Sequence, residues 1–402
     1  MQKRIPALDG LRGIAVIIVV IHHFQGDVTF PQTLMGKLLQ RILVAGWFGV
    51  DIFFVLSGFL ITSILLDDSI NWKRFYRNRA FRILPIFLVV FLAVLGFVSR
   101  PPPWVVLAYL FFLGNFTVLG SHEIGPLNHF WSLAVEEQFY LVWPQIVWRL
   151  SRSTILKIAL SIAGLSALLR IIGVALGENA YVLYKVTPTH LDGISLGCAV
   201  AAAVGIPSAK NWLARRWWTV AWLSAAILAC GIVALRFSLF AWDVRAQMIA
   251  IPVASTLASA LVFAASEQLL SLKLSAVLCN QGLIYFGKRS YALYLIHEPI
   301  AQGLLSLFGK SIRQLRPAQQ TLISLAMALF GIAVSIGLAE ISWRFVEQPS
   351  QRLKKRHYEG EENKGERPPM RLSGKQEIGQ ASALLSGNEA SANVVSESPT
   401  ES

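Results

Sequence analysis

Residues 7–24 read Ala7-Leu-Asp-Gly-Leu-Arg-Gly-Ile-Ala-Val-Ile-Ile-Val-Val-Ile-His-His-Phe24, an apolar stretch with the length of a membrane-crossing helix. Apolar runs of similar length recur as far as Glu347. Of the 402 residues, 54% are hydrophobic and only 15% are charged, whereas about a quarter of a soluble domain is charged. The strands of an outer-membrane barrel would alternate polar and apolar residues, and these runs do not. The sequence therefore predicts an all-α, polytopic bundle of transmembrane helices.

The candidate apolar segments number eleven, and the basic residues between them indicate their orientation. With Lys3 and Arg4 inside, most basic loops fall on the same side if segments 83–99 and 104–120 together cross the membrane once. Residues 310–316 are the exception. We therefore predict about ten membrane-spanning helices with both termini in the cytoplasm, and we expect the 104–120 segment to be re-entrant or tilted. The segments lie near 8–25, 43–66, 83–99, 104–120, 130–150, 154–177, 188–206, 217–236, 246–268, 289–308 and 320–346.

The chain divides into a membrane domain, residues 1–350, and a polar C-terminal segment, residues 351–402. This segment is rich in Glu, Lys, Ser and Asn, so a disordered cytoplasmic tail is expected. The net charge of +13 comes mostly from loops between apolar runs, so the expected partner is the lipid bilayer and not a nucleic acid. The three cysteines, Cys198, Cys230 and Cys279, have no metal-binding spacing, and no metal is expected.

Arg12 and His23 are eleven residues apart in the first predicted helix and lie on nearly the same face, about 16 Å from each other. His22 points about 80° away from that face. An ionisable side chain inside a membrane segment is costly, which favours a function for Arg12 and His23. An equally weighted alternative is that Arg12 snorkels to the headgroups and the histidines lie at the opposite interface.

Two further pairs of charged residues lie in or beside apolar runs. Arg79 and Arg82 share a helix face, and paired guanidiniums suit a phosphate-bearing ligand. A basic cluster alone is usually an ordinary cytoplasmic anchor. Glu136 and Glu137 are adjacent carboxylates between apolar residues, so at least one must face the bundle interior. For this pair, an interhelical salt bridge is the structural alternative.

Tyr291, Tyr294 and His297 recur every third residue and lie along one side of a predicted helix. This pattern indicates the wall of a polar cavity, with a packing role for the histidine as the alternative. Asp51 lies in a predicted membrane helix in which Ser57 and Gly58 allow close helix contact. The candidate pore-lining or supporting residues are therefore Asp51, Glu137, Tyr291, Tyr294 and His297.

Six sequence motifs follow one another along the chain. They are Arg12 with His23, Ser57-Gly-Phe-Leu-Ile-Thr62, Arg79-x-x-Arg82, Phe130-Trp-Ser-Leu-Ala-Val-Glu-Glu-Gln-Phe-Tyr-Leu141, Ser290-Tyr-Ala-Leu-Tyr-Leu-Ile-His297 and Phe345-Val-Glu-Gln-Pro349. These motifs occur in the same order in the acyltransferase-3 family of integral membrane O-acyltransferases, which the chain resembles from about Ile5 to about Pro349. Several independent motifs in one order argue against a chance match.

The resemblance implies ten membrane helices in a bacterial inner membrane. It implies transfer of an acyl group, commonly acetyl, from cytoplasmic acyl-coenzyme A to a hydroxyl of an envelope or secreted glycan or glycolipid. It also implies essential roles for Arg12 and His23, and coenzyme A binding by Arg79 and Arg82. With ten crossings, Glu136 lies in the same outer half of the membrane as His23, where we expect it to orient His23 or share its proton. The residues identify neither the acceptor nor a protein partner.

A proton-coupled transporter or flippase is the alternative function, because buried Arg, His and Glu side chains suit it equally well. The absence of an internal sequence repeat counts mildly against a transporter. A third alternative is an inactive scaffold or a glycan-binding membrane partner. A requirement for coenzyme A would separate the enzyme from both.

Overall fold

In the computed structural model of the protein, residues 5–25, 28, 30, 33–67, 72–97, 101–233, 243, 244 and 246–353 are described. All regular structure in these ranges is helical, as the sequence predicts. The helices are α1 (Pro6–Gln25), α2 (Leu34–Val44), α3 (Phe48–Leu65), α4 (Trp72–Phe97), α5 (Pro103–Leu110), α6 (Phe130–Val147), α7 (Arg152–Ala175), α8 (Ala180–Lys185), α9 (Asp192–Val204), α10 (Pro207–Val233), α11 (Ile251–Ser266), α12 (Leu272–Leu278), α13 (Gln281–Arg313) and α14 (Pro317–Ser342).

Six helical stretches of the described chain are long and apolar enough to cross a membrane. Helices α9 and α10 would together make a seventh, although they meet at a bend of 117°. These stretches fit a multi-pass membrane protein, and the finer count of about ten stays a prediction. Beyond Leu353, the expected tail lies outside the described residues. The six stretches are Pro6–Gln25, Leu34–Leu65, Trp72–Phe97, Arg152–Ala175, Gln247–Ser266 and Pro317–Leu353.

The segment expected to be re-entrant or tilted, 104–120, does not form a long helix. Helix α5 has eight residues, which is too short to cross a bilayer, and a 3₁₀ helix follows at Gly114–Gly120. Between them, Phe112 adopts a left-handed backbone conformation with φ 56°. The buried Asn115 accepts a hydrogen bond from Gln138, which also donates to the Phe112 carbonyl. Irregular backbone at membrane depth needs such partners inside the protein.

Helix α1 lies inside the bundle and packs most extensively against α13. Glycines allow this close approach. A Cβ added to Gly13 would lie 2.1 Å from the Leu283 carbonyl oxygen, and one added to Gly287 would lie 1.9 Å from that of Asp9. Helix α1 also contacts α3, α11, α12 and α14. Because protein surrounds α1, its polar side chains face other helices instead of lipid.

Helices α3 and α9 make a second close contact of the same kind. A Cβ added to Gly58 would lie 1.9 Å from the Ile194 carbonyl oxygen, and one added to Gly197 would lie 2.1 Å from that of Val55. The sequence-based expectation that Gly58 permits close helix packing is therefore confirmed. Helices α1 and α3 also pack directly against each other, since a Cβ added to Gly49 would lie 2.5 Å from the Ala15 carbonyl oxygen.

Candidate active site

A cavity of about 90 Å³ lies between α1, α3, α4, α6 and α13. Each of these five helices contributes at least one polar side chain to its wall. Five of the residues singled out from the sequence come together here, and Ser57, Ser132 and Ser290 join them. The polar lining consists of Arg12, Ser57, Arg82, Ser132, Glu136, Ser290, Tyr291 and Tyr294.

Opposite charges face each other across this cavity. The Ser57 hydroxyl donates a hydrogen bond to Glu136 Oε1 at 2.8 Å. Arg12 Nη1 lies 4.0 Å from Asp9 Oδ1, and Arg12 also interacts electrostatically with Glu136. The cavity therefore offers both a carboxylate and a guanidinium to a polar ligand. We name it the Arg12 cavity.

Arg79 and Arg82 have different surroundings, although the sequence places them on one helix face. Arg79 forms an ion pair with Glu137, and its guanidinium carbon lies 3.6 Å from the centre of the Tyr140 ring. Arg82 lines the Arg12 cavity and is exposed. No ion pair joins Arg82 to another residue of the described ranges. Arg82 is thus the more available cation for a phosphate, and Arg79 is held between α4 and α6.

His23 and His297 meet at the C-terminal end of α1. His297 Nε2 lies 3.3 Å from His23 Nδ1, which is also 2.9 Å from the Val19 carbonyl oxygen. His23 Nε2 lies 3.6 Å from Glu298 Oε2, and Gln302 donates to the other oxygen of that carboxylate at 2.7 Å. The His23 side chain is 25% exposed, whereas His297 is fully buried. His23 is therefore the imidazole that a substrate can reach.

The carboxylate beside His23 is Glu298, and not Glu136 as the sequence led us to expect. Among the described contacts, Glu136 bonds to Ser57 in the Arg12 cavity and none joins it to His23. Glu298 follows His297 directly in the sequence, and that adjacency was the signal that could have identified it. A carboxylate at this distance stabilises and orients a protonated imidazole.

Tyr294 connects the Arg12 cavity with the histidines. Its hydroxyl lies 2.5 Å from Ser132 Oγ and donates to the His129 carbonyl at 3.2 Å. The His129 ring is buried and lies 5.1 Å from the His297 ring, centre to centre. A line of polar groups thus leads from the Arg12 cavity past Tyr294 to His23. Sequence reasoning missed His129 because it precedes a helix, where a loop residue is expected.

His22 and Asp51 lie away from this line. The His22 Cβ would contact a Cβ added to Gly46, so His22 faces the turn that precedes α3. Its buried Nδ1 has no hydrogen-bond partner among the residues that the structure describes. Asp51 does not line the Arg12 cavity. It is fully buried, 3.6 Å from His190 Nε2, and accepts a hydrogen bond from Ser255 at 3.3 Å. Asp51 therefore supports the fold from a separate polar cluster.

Next to Asp51, Arg170 of α7 donates to Asp192 of α9 at 2.6 Å, and both side chains are almost fully buried. Their charges also act on Asp51. This second cluster joins α3, α7 and α9 without opening to the Arg12 cavity.

His23, His297 and Glu298 place their potential ligand atoms within 4.8 Å of one another, a set that could hold a divalent metal ion. The same arrangement is an imidazole–carboxylate pair suited to proton transfer, which needs no metal. The sequence-based expectation of no metal stays a prediction.

Comparison with known proteins gives a family and several curated relatives. Residues 5–340 match the family described as "Acyltransferase domain", acyltransferase-3. The chain is 29% identical to the O-acetyltransferase OatA of Staphylococcus aureus strain NCTC 8325, over 86% of this chain and 57% of the relative. It is 28% identical to the peptidoglycan O-acetyltransferase OatA of Listeria monocytogenes, over 87% and 56% respectively. The chain thus spans a little over half the length of these relatives. No solved structure matches it.

Proposed function

Because the chain belongs to the acyltransferase-3 family, we propose that it is a membrane O-acetyltransferase that acts on an envelope glycan, with cytoplasmic acetyl-coenzyme A as the donor. The observation that carries this proposal is the line of polar groups from the Arg12 cavity to the His23–Glu298 pair. It supplies one place for a donor and another for activation of an acceptor hydroxyl within a single bundle. The family assignment favours this function over a proton-coupled transporter or flippase.

His23 is the proposed general base. It takes the proton of the acceptor hydroxyl while the hydroxyl oxygen attacks the thioester carbonyl. The carbon–sulfur bond then breaks, and the coenzyme A thiolate leaves. The proton held by His23 returns to that sulfur, so coenzyme A departs as a thiol. Glu298, at 3.6 Å, stabilises the imidazolium that forms in between, and His297 fixes the orientation of the ring.

The Arg12 cavity is the proposed donor site. Arg82, which is exposed at the cavity, binds a phosphate of the coenzyme. Arg79, held in its ion pair with Glu137, adds a second positive charge close to Arg82. Arg12 and Glu136 can hydrogen-bond to the amides of the pantetheine arm. Helical rise separates Arg12 from His23 by about 16 Å, so the arm would lie along α1 with the thioester towards His23.

We further propose ten crossings with both termini in the cytoplasm of a bacterium. The basic loops support this parity, and so does α5, which is too short to cross. The Arg12 end of α1 would then face the cytoplasm, where the donor is made. The His23 end would face the envelope glycan.

The test is acetyl transfer by the purified full chain in detergent. Acetyl-coenzyme A carrying a deuterated acetyl group is mixed with soluble peptidoglycan fragments, because the Listeria relative is named for peptidoglycan. Mass spectrometry should find deuterated acetyl groups on the glycan, and mild alkali should remove them because they are esters. Reactions without the donor provide the control.

Absence of label from peptidoglycan and from other envelope glycans, with the chain folded, would contradict an acetyltransferase. Movement of an unmodified glycan across proteoliposomes that contain the chain would instead support the flippase.

A further inference from the structure

A compact set of polar side chains surrounds the Lys185 ammonium at the end of α8. Lys185 Nζ forms an ion pair with Glu123 and donates to Asn128, and it lies 3.9 Å from the centre of the Tyr181 ring. The Tyr181 hydroxyl donates to Glu123 at 3.0 Å, and Asn128 Nδ2 donates to the Tyr181 oxygen at 3.0 Å. The proposed mechanism uses none of these four residues. We name them the Lys185 cluster.

The local sequence explains why these groups converge. Helix α8 begins after Asn179, whose side chain accepts a hydrogen bond from the Tyr181 backbone N–H at 2.9 Å. Tyr181 and Lys185 are four residues apart and so share one face of this short helix. Glu123 and Asn128 come from the segment that leads into α6.

Two independent chains of contacts connect the Lys185 cluster with His23. Gly125, between Glu123 and Asn128, approaches Gln302, since a Cβ added there would lie 3.2 Å from Gln302 Oε1. Gln302 holds Glu298, the carboxylate next to His23. By the second route, Asn128 precedes His129, whose ring packs against His297. Lys185 also interacts electrostatically with Glu298.

The residues of the Lys185 cluster differ in exposure: Lys185 is buried, and the other three are partly exposed and form an accessible edge. The Lys185 side chain is 3% exposed, whereas that of Glu123 is 19% exposed. Asn128 and Tyr181 are partly exposed as well. Burial raises the pKa of the Tyr181 hydroxyl to about 12, so this hydroxyl stays a hydrogen-bond donor at neutral pH. A carboxylate, an amide and a phenol thus share one edge, with a buried ammonium behind them.

We propose that Glu123, Asn128 and Tyr181 bind the saccharide acceptor and present one of its hydroxyls to His23. Lys185 is a positioning residue that holds the three in place. The inference rests on the proposed acetyltransferase function and assigns its acceptor site. A saccharide carries closely spaced hydroxyls, each a donor and an acceptor, and this edge offers matching groups of both kinds. The donor, in contrast, would enter from the Arg12 cavity.

The test uses Tyr181→Phe and Glu123→Gln in the full chain, with chitotetraose as the acceptor. Tyr181→Phe removes one hydroxyl and keeps the ring against Lys185. Glu267→Gln is the matched control, because Glu267 pairs with Lys210 in another Lys–Glu ion pair. In both test variants, the KM for chitotetraose should rise about 5- to 30-fold through loss of a hydrogen bond to the sugar. The KM for acetyl-coenzyme A should stay within about twofold of the control.

An unchanged KM for chitotetraose in Tyr181→Phe would overturn the proposal. An equal rise in the KM for chitotetraose and the KM for acetyl-coenzyme A would overturn it as well. If Glu123→Gln lowers the melting temperature, Tyr181→Phe decides alone. Saturation-transfer NMR measures chitotetraose binding without turnover, and binding should weaken in Tyr181→Phe but not in Glu267→Gln. A wild-type chain that binds the sugar but never acetylates it would refute the proposed function and leave the binding site standing.

Discussion

Gly287 of α13 should control activity from about 15 Å away, because it sets the distance between α13 and α1. It is ten residues from His297 along the same helix, and a Cβ at Gly287 would lie 1.9 Å from the Asp9 carbonyl oxygen. Ordinary contact begins at 3.4 Å, so the two backbones must separate locally by about 1.5 Å to admit Gly287→Ala. That shift is close to half of the 3.3 Å that joins His297 Nε2 to His23 Nδ1.

The expected cost in rate follows from this displacement. A misplacement of about 1 Å can lower a rate by about 100-fold, so Gly287→Ala should lower acetyl transfer by that order. Overpacking should destabilise the protein by about 1–3 kcal/mol, partly offset by about 1 kcal/mol because alanine favours a helix more than glycine does. The folded protein should therefore persist in the membrane while its activity falls.

The matched control is Gly303→Ala, in the same helix, where an added Cβ would meet no atom of the described ranges within 4 Å. This variant should keep full activity. Initial rates of acetyl transfer are measured at equal protein amounts, together with melting temperatures in detergent. Equal activity of Gly287→Ala and Gly303→Ala would show that the α1–α13 distance does not position the histidines, and the reasoning from close packing would fail.

Three further outcomes are expected. His23→Ala should abolish acetyl transfer at a normal protein level, whereas His22→Ala should retain most of it, because His23 and not His22 contacts His297. Acetyl transfer is assayed in both variants. An equal loss of activity in the two would contradict the assignment of His23. Arg82→Ala should raise the KM for acetyl-coenzyme A by about 10-fold or more, since a charge-assisted contact to phosphate is lost, whereas Arg79→Ala should also lower the melting temperature because Glu137 loses its partner. An unaltered donor KM in Arg82→Ala would make that arginine a topological anchor only. A phosphatase fused after Gln351 should be inactive if that end is cytoplasmic, and an active fusion would indicate an odd number of crossings.

The all-helical fold could be predicted because lipid leaves few other options for long apolar runs. Spacing within one helix was equally informative. The eleven-residue spacing of Arg12 and His23 predicted a shared helix face, and the three-residue spacing of Tyr291 and Tyr294 predicted the wall of a polar cavity, which both tyrosines line. These inferences need only the helical repeat.

Contacts between helices could not be predicted in this way. His297 and Glu298 point about 100° apart on α13, and nothing in the sequence tells that the His23 ring lies within reach of both. Arg79 and Arg82 are about 60° apart on α4, which is enough to place one against Glu137 of α6 and the other at the Arg12 cavity. The contacts of His297 and Glu298 with His23, and the different surroundings of Arg79 and Arg82, depend on the position of the neighbouring helix.

The buried pair of Arg170 and Asp192 has a consequence for how the protein enters the membrane. Each charge, inserted alone, would oppose integration of its helix by about 2.5–3.5 kcal/mol. The two residues lie on α7 and α9, which the short α8 and a 3₁₀ turn at Thr187–Thr189 separate in the chain, and they neutralise each other at 2.6 Å. The translocation machinery should therefore release α7 and α9 into lipid together, as one hairpin. Loss of Arg170 alone would leave Asp192 without its counter-ion, so this position should tolerate exchange only when both residues change at once.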